Sequence, residues 1–90
     1  MMYKVRFHHS AEEQLRRMAK SDPKSLKKVQ EFVSQLLDNP RVGTGKPERL
    51  KGYEVETWSR RINKKDRLVY EIHDMEVLVL VVSVQGHYEE

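Results

Sequence analysis

VETWSRRINKKDRLVYEIHDMEVLVLVVSV, residues 55–84, decides how this chain folds. Two stretches that alternate apolar and polar residues, 55–62 and 67–73, flank Asn63-Lys64-Lys65-Asp66, the composition of a tight hairpin turn. Asp74-Met75 then turns the chain into VLVLVVSV (77–84), an unbroken apolar run. Such a run reads as a strand buried on both faces, at or near the centre of a sheet. Gly86 ends it, leaving His87-Tyr88-Glu89-Glu90 as a tail. Trp58 alternates with Arg60 and Ile62, which reads as core or sheet-edge packing, and Tyr70 as packing between the sheet and whatever covers it.

What covers it lies at the other end. In YKVRFH, residues 3–8, Tyr3, Val5 and Phe7 share one face of a strand. Ser10 with Glu13 three residues later forms a capping box that opens a helix, with Leu15, Met18 and Ala19 as its apolar stripe. Asp22-Pro23 restarts the chain, an N-cap followed by proline at the first helical position. Leu26, Val29, Val33, Leu36 and Leu37 recur at helical spacing with Phe32 beside them, and the helix ends near Asp38-Asn39-Pro40. Residues 39–53, punctuated by Pro40, Gly43, Gly45, Pro47 and Gly52, read as loop. The order is β-α-α-β-β-β: an α+β fold in which a two-helix hairpin covers one face of a mainly antiparallel sheet.

Ninety residues make one domain, 1–90, with room for a single modest core. The chain has no cysteine, so neither disulfides nor thiolate metal sites staple it. No run reaches the roughly 18 apolar residues of a membrane span, and MMYKVRFHHS lacks the apolar region of a signal peptide. The expectation is a cytoplasmic protein with no membrane partner. Net charge is +3, but unevenly spread: residues 41–67 carry nine Lys/Arg against four Asp/Glu, and residues 68–90 carry five acids and no Lys or Arg. The basic block suits nucleic-acid phosphates or is a solvated surface. Lys20, Lys24, Lys27 and Lys28 on the helices leave the same two readings open.

GTGKPERLKG, residues 43–52, has the look of a phosphate loop without its spacing. Gly43 and Gly45 stand too close for G-x-x-x-x-G-K-[ST], and Pro47 after Lys46 cannot donate the N–H that a nucleotide cradle uses. No metal or cofactor is expected either, since His8-His9 are adjacent on the expected strand and point apart. Outside the apolar pattern lie Glu48 in the loop, Arg61 and Arg67 beside the hairpin turn, and His87 beyond the last strand. Each is compatible with an ordinary solvated position, as are Tyr53 and His73. Together the residue types fit metal-free cleavage of RNA by its own 2′-hydroxyl. A carboxylate takes the hydroxyl proton, arginines meet charge on the phosphoryl oxygens, and histidine protonates the leaving 5′-oxygen.

GKPERLKG, WSRRI, DRLVYEI and HY, in that order, resemble the YoeB/Txe-type toxins of the RelE superfamily, whose pattern is GKPE-x-LK, WSRRI, HRLVY and a C-terminal His-Tyr. The resemblance runs from Gly43 to Tyr88, and the N-terminal half agrees only in layout. It implies a RelE-like fold and a type II toxin that cuts mRNA in the ribosomal A site. It also implies a YefM/Phd-like antitoxin partner, with operator DNA bound only through the toxin–antitoxin complex. Carried over by position, Glu48 is the general base, Arg67 stabilises the transition state, His87 is the general acid and Tyr88 orients the phosphate or stacks on a base. Lys46, Lys51 and Arg61 line the RNA path. Two departures stand out: Asp66 occupies the place of a histidine, where a site-facing carboxylate would weaken RNA attraction, and Glu89-Glu90 extend the chain past His-Tyr. The alternatives are an inhibitor that binds without cutting, as in gyrase-poisoning relatives, and a basic RNA-binding domain.

Overall fold

The structure, a computed structural model, describes residues 2–86. Strand β1 (Lys4–Phe7) leads into helix α1 (His9–Ser21), which starts two residues earlier than the Ser10 capping box suggests. His8 is the N-cap: its Nδ1 accepts the Ser10 N–H at 3.2 Å and lies 3.0 Å from the Ser10 Oγ. A ring nitrogen thus takes the place that the sequence offers to a hydroxyl, and both His8 and His9 sit at a helix start rather than on a strand. The stripe of α1 is Ala11, Leu15 and Met18, while Ala19 is exposed. A single residue, Asp22, separates α1 from α2 (Pro23–Asp38). Its carboxylate accepts the Ser25 N–H and, at 2.6 Å, the Ser25 hydroxyl, and these bonds hold the Asp22 carboxyl below its usual range. Val29, Phe32 and Leu36 form the buried line of α2.

Four further strands follow: β2 (Glu48–Leu50), β3 (Thr57–Arg61), β4 (Arg67–His73) and β5 (Leu78–Ser83). The sheet runs β1-β5-β4-β3-β2, with β1 parallel to β5 and every other pair antiparallel. The α+β class and the helical hairpin are as read, but the order is β-α-α-β-β-β-β. Strand β2 falls in the stretch read as loop, because three residues between a proline and a glycine are too few to show alternation. The apolar run of β5 is interior to the sheet, yet only Val79 and Val81 within the strand are fully buried. Leu78, Leu80 and Val82 stay partly exposed, since the helices cover one face alone. At the β3–β4 turn the Asn63 Oδ1 accepts the N–H groups of Lys65 (2.9 Å) and Asp66 (2.8 Å), an Asx turn.

The buried face of β3 and β4 carries Ile62, Leu68, Tyr70 and Ile72 against Phe32, Leu36 and Met18. Among them lies Arg60, at zero exposure. All five of its N–H donors have acceptors: Nε donates to the Tyr70 hydroxyl (3.1 Å), Nη1 to Gln35 Oε1 and the Thr44 carbonyl, and Nη2 to the carbonyls of Pro40 (3.3 Å) and Val42 (2.9 Å). The guanidinium also lies 5.7 Å from the centroid of Phe32 and 5.8 Å from that of Tyr70. None of these acceptors is a carboxylate, so the buried charge is solvated by dipoles drawn from the loop after α2. Gly43 and Gly45 make that wrapping possible. At φ +138° and +81° each adopts backbone that side chains avoid, and a Cβ would collide with Gln35 and Arg60 at Gly43 or with Phe32 at Gly45. The glycines that suggest a phosphate loop serve the core instead.

A second polar cluster closes the edge where the strand ends meet. Arg41 donates to both oxygens of Glu56 at 2.9 Å and to Asp74 at 2.8 Å. Tyr3 donates to Asp74 at 2.6 Å, and the Trp58 Nε1–H to Glu56 at 2.8 Å. The bonds from Arg41 pull the Glu56 carboxyl below its usual value, and those from Tyr3 and Arg41 do so for Asp74.

Two predictions follow from these clusters. Arg60→Met or Arg60→Ala lowers stability by about 1–3 kcal/mol, because buried loop carbonyls are left without their donor, and Arg60→Lys, with no planar fork, restores little of it. Urea unfolding of the variants measures both effects. For Glu56, a folded-state pKa below the unfolded value means a contribution present above the ordinary carboxylate range and lost as pH falls beneath it. Glu56→Gln is therefore less stable than wild type by about 1–2 kcal/mol at pH 7. That gap narrows steadily in urea titrations run below roughly pH 4.

Candidate active site

Strand alternation sorts the basic block between two faces. Trp58, Arg60, Leu68, Tyr70 and Ile72 point toward the helices, so Thr57, Ser59 and Arg61 on β3 and Arg67, Val69 and Glu71 on β4 point to the open side. Glu48 on β2 is paired with Ser59 and shares that side. Of the nine basic residues in 41–67, Arg60 is used by the core and Arg41 by the edge cluster, leaving seven at the surface.

The candidates read from sequence fall as follows. Glu48 opens β2 and is exposed. Arg61 closes β3, Arg67 opens β4, and the two are direct partners in the ladder. One row of the sheet therefore reads Glu48–Ser59–Val69 and the next places two arginines opposite each other. Lys46 stands at the approach to β2 with φ 51°, and the Gly45 carbonyl before it accepts the Arg61 N–H at 2.7 Å. Loop and strand end are thus fastened together, and Lys46 and Arg61 share a shallow groove of about 400 Å³ with Lys28 and Lys64. Lys28, read from sequence as part of a helix face, is brought to the groove by the packing of α2. Lys51 follows β2 and is exposed. His87 and Tyr88 lie outside the described residues.

Asp66 does not point into the open face. It is buried, and its Oδ1 accepts the Gly86 N–H at 3.0 Å on the helix side of the sheet. Tyr53 is exposed on the loop after β2, and His73 meets Glu71 at 2.9 Å. Ser59 was not singled out from sequence. Its Oγ is buried between Glu48 and Val69 in the ladder and finds no hydrogen-bond partner among the described residues. A serine alternating with Thr57 and Arg61 on a strand was the available signal. Arginines directly opposed across a ladder, an exposed carboxylate and an unpaired buried hydroxyl do nothing for stability. Among the described residues no group of three or more acids or histidines is placed to hold a metal, and no helix is long and apolar enough to cross a membrane.

Residues 7–88 match a family described as the YoeB-like toxin of bacterial type II toxin–antitoxin systems. Toxin YoeB of Synechocystis is 41% identical over 69 residues, covering 77% of this chain and 78% of the relative. A YoeB/ParE toxin from Agrobacterium tumefaciens superposes with a TM-score of 0.86 at 28% identity, over 94% of this chain and 99% of that one. A chain of a YoeB–YefM complex from Staphylococcus aureus does so at 0.80 and 31% identity, over 98% and 100%. The chain belongs to the YoeB-like toxin family, and it is a toxin of the type II toxin–antitoxin class.

The opposed arginines allow a test of whether this face serves the fold. Arg61→Gln removes a like-charge pair and raises stability by a few tenths of a kcal/mol. The urea midpoint of the variant measures it, and a loss of 1 kcal/mol or more would show instead that Arg61 is structural.

Proposed function

We propose that this YoeB-family toxin is a metal-independent endoribonuclease that cuts mRNA on the ribosome and so stops translation. The observation that carries the proposal is the gathering of Glu48, Arg61 and Arg67 on the one face that the helices leave open, beside a strand end that leads into His87-Tyr88. In this reading Glu48 accepts the proton of the 2′-hydroxyl as its oxygen attacks the adjacent phosphorus. Arg67 meets the charge that grows on the phosphoryl oxygens, and Arg61, Lys46 and Lys51 hold the flanking phosphates. His87 gives its proton to the 5′-oxygen as the P–O5′ bond breaks, and Tyr88 orients the phosphate. The products are a 2′,3′-cyclic phosphate and a free 5′-hydroxyl, and no metal or cofactor takes part.

Glu48 suits its role because it is exposed and no described residue neutralises it, so its carboxylate is free to act on a substrate. The arginines suit theirs because a guanidinium stays charged and meets phosphate through two parallel bonds. Two of them side by side repel until an anion lies between them, which makes phosphate binding the event that relieves the pair. The partner that silences the toxin is a YefM/Phd-like antitoxin, by analogy with the S. aureus relative solved with YefM, and operator DNA is met only through that complex. The site of action is the cytoplasm.

Primer extension on an mRNA translated in a reconstituted bacterial system tests this. Wild type generates new 5′ ends, whereas Glu48→Ala, Arg67→Ala and His87→Ala each reduce them by about 100-fold or more while remaining folded. Translation that stops with no new ends would make the protein an inhibitor by occupancy. Unchanged cleavage in a folded Glu48→Ala/His87→Ala double variant would overturn the residue roles.

A further inference from the structure

We propose that Ser59 is a positioning residue: its hydroxyl donates to the Glu48 carboxylate and holds it folded down on the open face of the sheet when RNA is bound. The inference rests on the reading of Glu48 as the base. Ser59 is at zero exposure, and its Oγ finds no partner among the described residues. A hydroxyl in that state has given up its bonds to water and gained none in return. Alanine would occupy the same place in the strand without that cost. The fold alone therefore leaves the hydroxyl unexplained.

Its neighbours on that face leave one side-chain acceptor within reach. Across the ladder Ser59 stands between Glu48 on β2 and Val69 on β4, and the valine has no polar side-chain atom. Arg61 on the same strand and Arg67 diagonally across from it carry donors only. Thr57 lies two residues away, roughly 7 Å along a strand, and donates its own hydroxyl to the Val55 carbonyl at 2.8 Å. Glu71, diagonal to Ser59 through its pairing with Thr57, is turned to His73, 2.9 Å away. Glu48 remains, exposed and without an ion pair among the described residues. Directly opposed residues of an antiparallel pair hold their Cβ atoms about 5 Å apart. A carboxylate on a two-methylene stem closes that gap by bending toward its partner.

Burial also decides how the hydroxyl acts. With its Oγ shut off from solvent, Ser59 touches no substrate and works through Glu48. A phosphate held by Arg61 and Arg67 lies over the row next to Glu48 and Ser59, and the RNA displaces water from around the carboxylate. A carboxylate losing water needs a donor in its place, and Ser59 is the donor set opposite it. The charge-assisted bond to one carboxylate oxygen orients the other oxygen toward the 2′-hydroxyl.

The test joins two readouts on the full chain: urea unfolding, and single-turnover cleavage of mRNA on programmed ribosomes with the toxin in excess. The second gives a maximal rate and a half-saturating toxin concentration. Ser59→Ala is expected to keep a urea midpoint at or above that of wild type, since it removes an unpaired hydroxyl. Its maximal rate falls about tenfold, with the half-saturating concentration changed by no more than about twofold. In a Glu48→Ala background, itself about 100-fold slower, the same change lowers the rate by less than about twofold, because the group it positions is gone. Ser59→Thr keeps the hydroxyl and stays within about threefold of wild type. If its added methyl prevents folding, Ser59→Cys, a weaker donor of similar shape, takes its place and falls between Ser59→Ala and wild type. A urea midpoint of Ser59→Ala well below wild type makes the residue structural and overturns the proposal. So does an unchanged rate, a loss expressed in the half-saturating concentration alone, a full tenfold loss in the Glu48→Ala background, or a hydroxyl or thiol variant no better than alanine. Wild-type cleavage by Glu48→Ala itself overturns the reading of the base beneath it, a result distinct from any of these.

Discussion

The guanidinium of Arg60 is the interaction on which the rest of the structure depends. A buried cation is costly, and the cost is offset only if every donor is met. Meeting all five requires the Tyr70 hydroxyl from the neighbouring strand, Gln35 from α2 and carbonyls from residues 40–44. Sheet, helix and loop are thereby placed relative to one another by one side chain. The loop cannot move away without leaving a charge in the core, and α2 cannot slide without taking Gln35 from both Arg60 and the Thr44 N–H. The close approach this demands explains the two glycines. It also delivers the chain to Lys46 and β2 in a fixed position, which is how a core contact bears on the open face.

The polar groups of the described chain divide by face. Toward the helices and at the edge cluster, arginines are matched: Arg60 by dipoles, Arg41 by two carboxylates and a phenol. On the open side Arg61 faces Arg67, Glu48 stands exposed, and Ser59 Oγ is buried without a partner. The same residue type is satisfied on one side of a strand and unsatisfied one residue later on the other. Consistency at every level gives stability, and its breakdown in one place marks where the molecule spends stability on something else.

Much of this was legible in the sequence, for reasons that differ by element. The helical hairpin was readable because Asp22-Pro23 states a cap and a start together, and β3–β4 because alternation brackets a polar turn. Strand β2 was not, being three residues long and held by its pairing to β3 instead of by its own pattern. The burial of β5 was overstated because an apolar run does not reveal how many faces its neighbours cover. Arg60 was half legible: its alternation with Trp58 and Ile62 puts it inward, but a charge in a run of arginines invites the opposite assignment. The positions of Glu48, Arg61 and Arg67 came from motif likeness, whereas their sharing of a face is a fact of register that no local pattern contains.

Asp66 illustrates how far a substitution can be judged before its partners are known. As a letter between Lys65 and Arg67 it is a negative charge next to a cation, and the natural inference is interference with an anionic substrate. In the fold it is turned to the other side of the sheet, buried, with its oxygens occupied by Gly86 and Asn63. A carboxylate so placed acts on a substrate weakly, because its charge is held by nearby donors and lies across the sheet from the open face. What it does strongly is fix backbone. The consequence of such a residue is therefore read in the position of the chain it holds rather than in the field it projects.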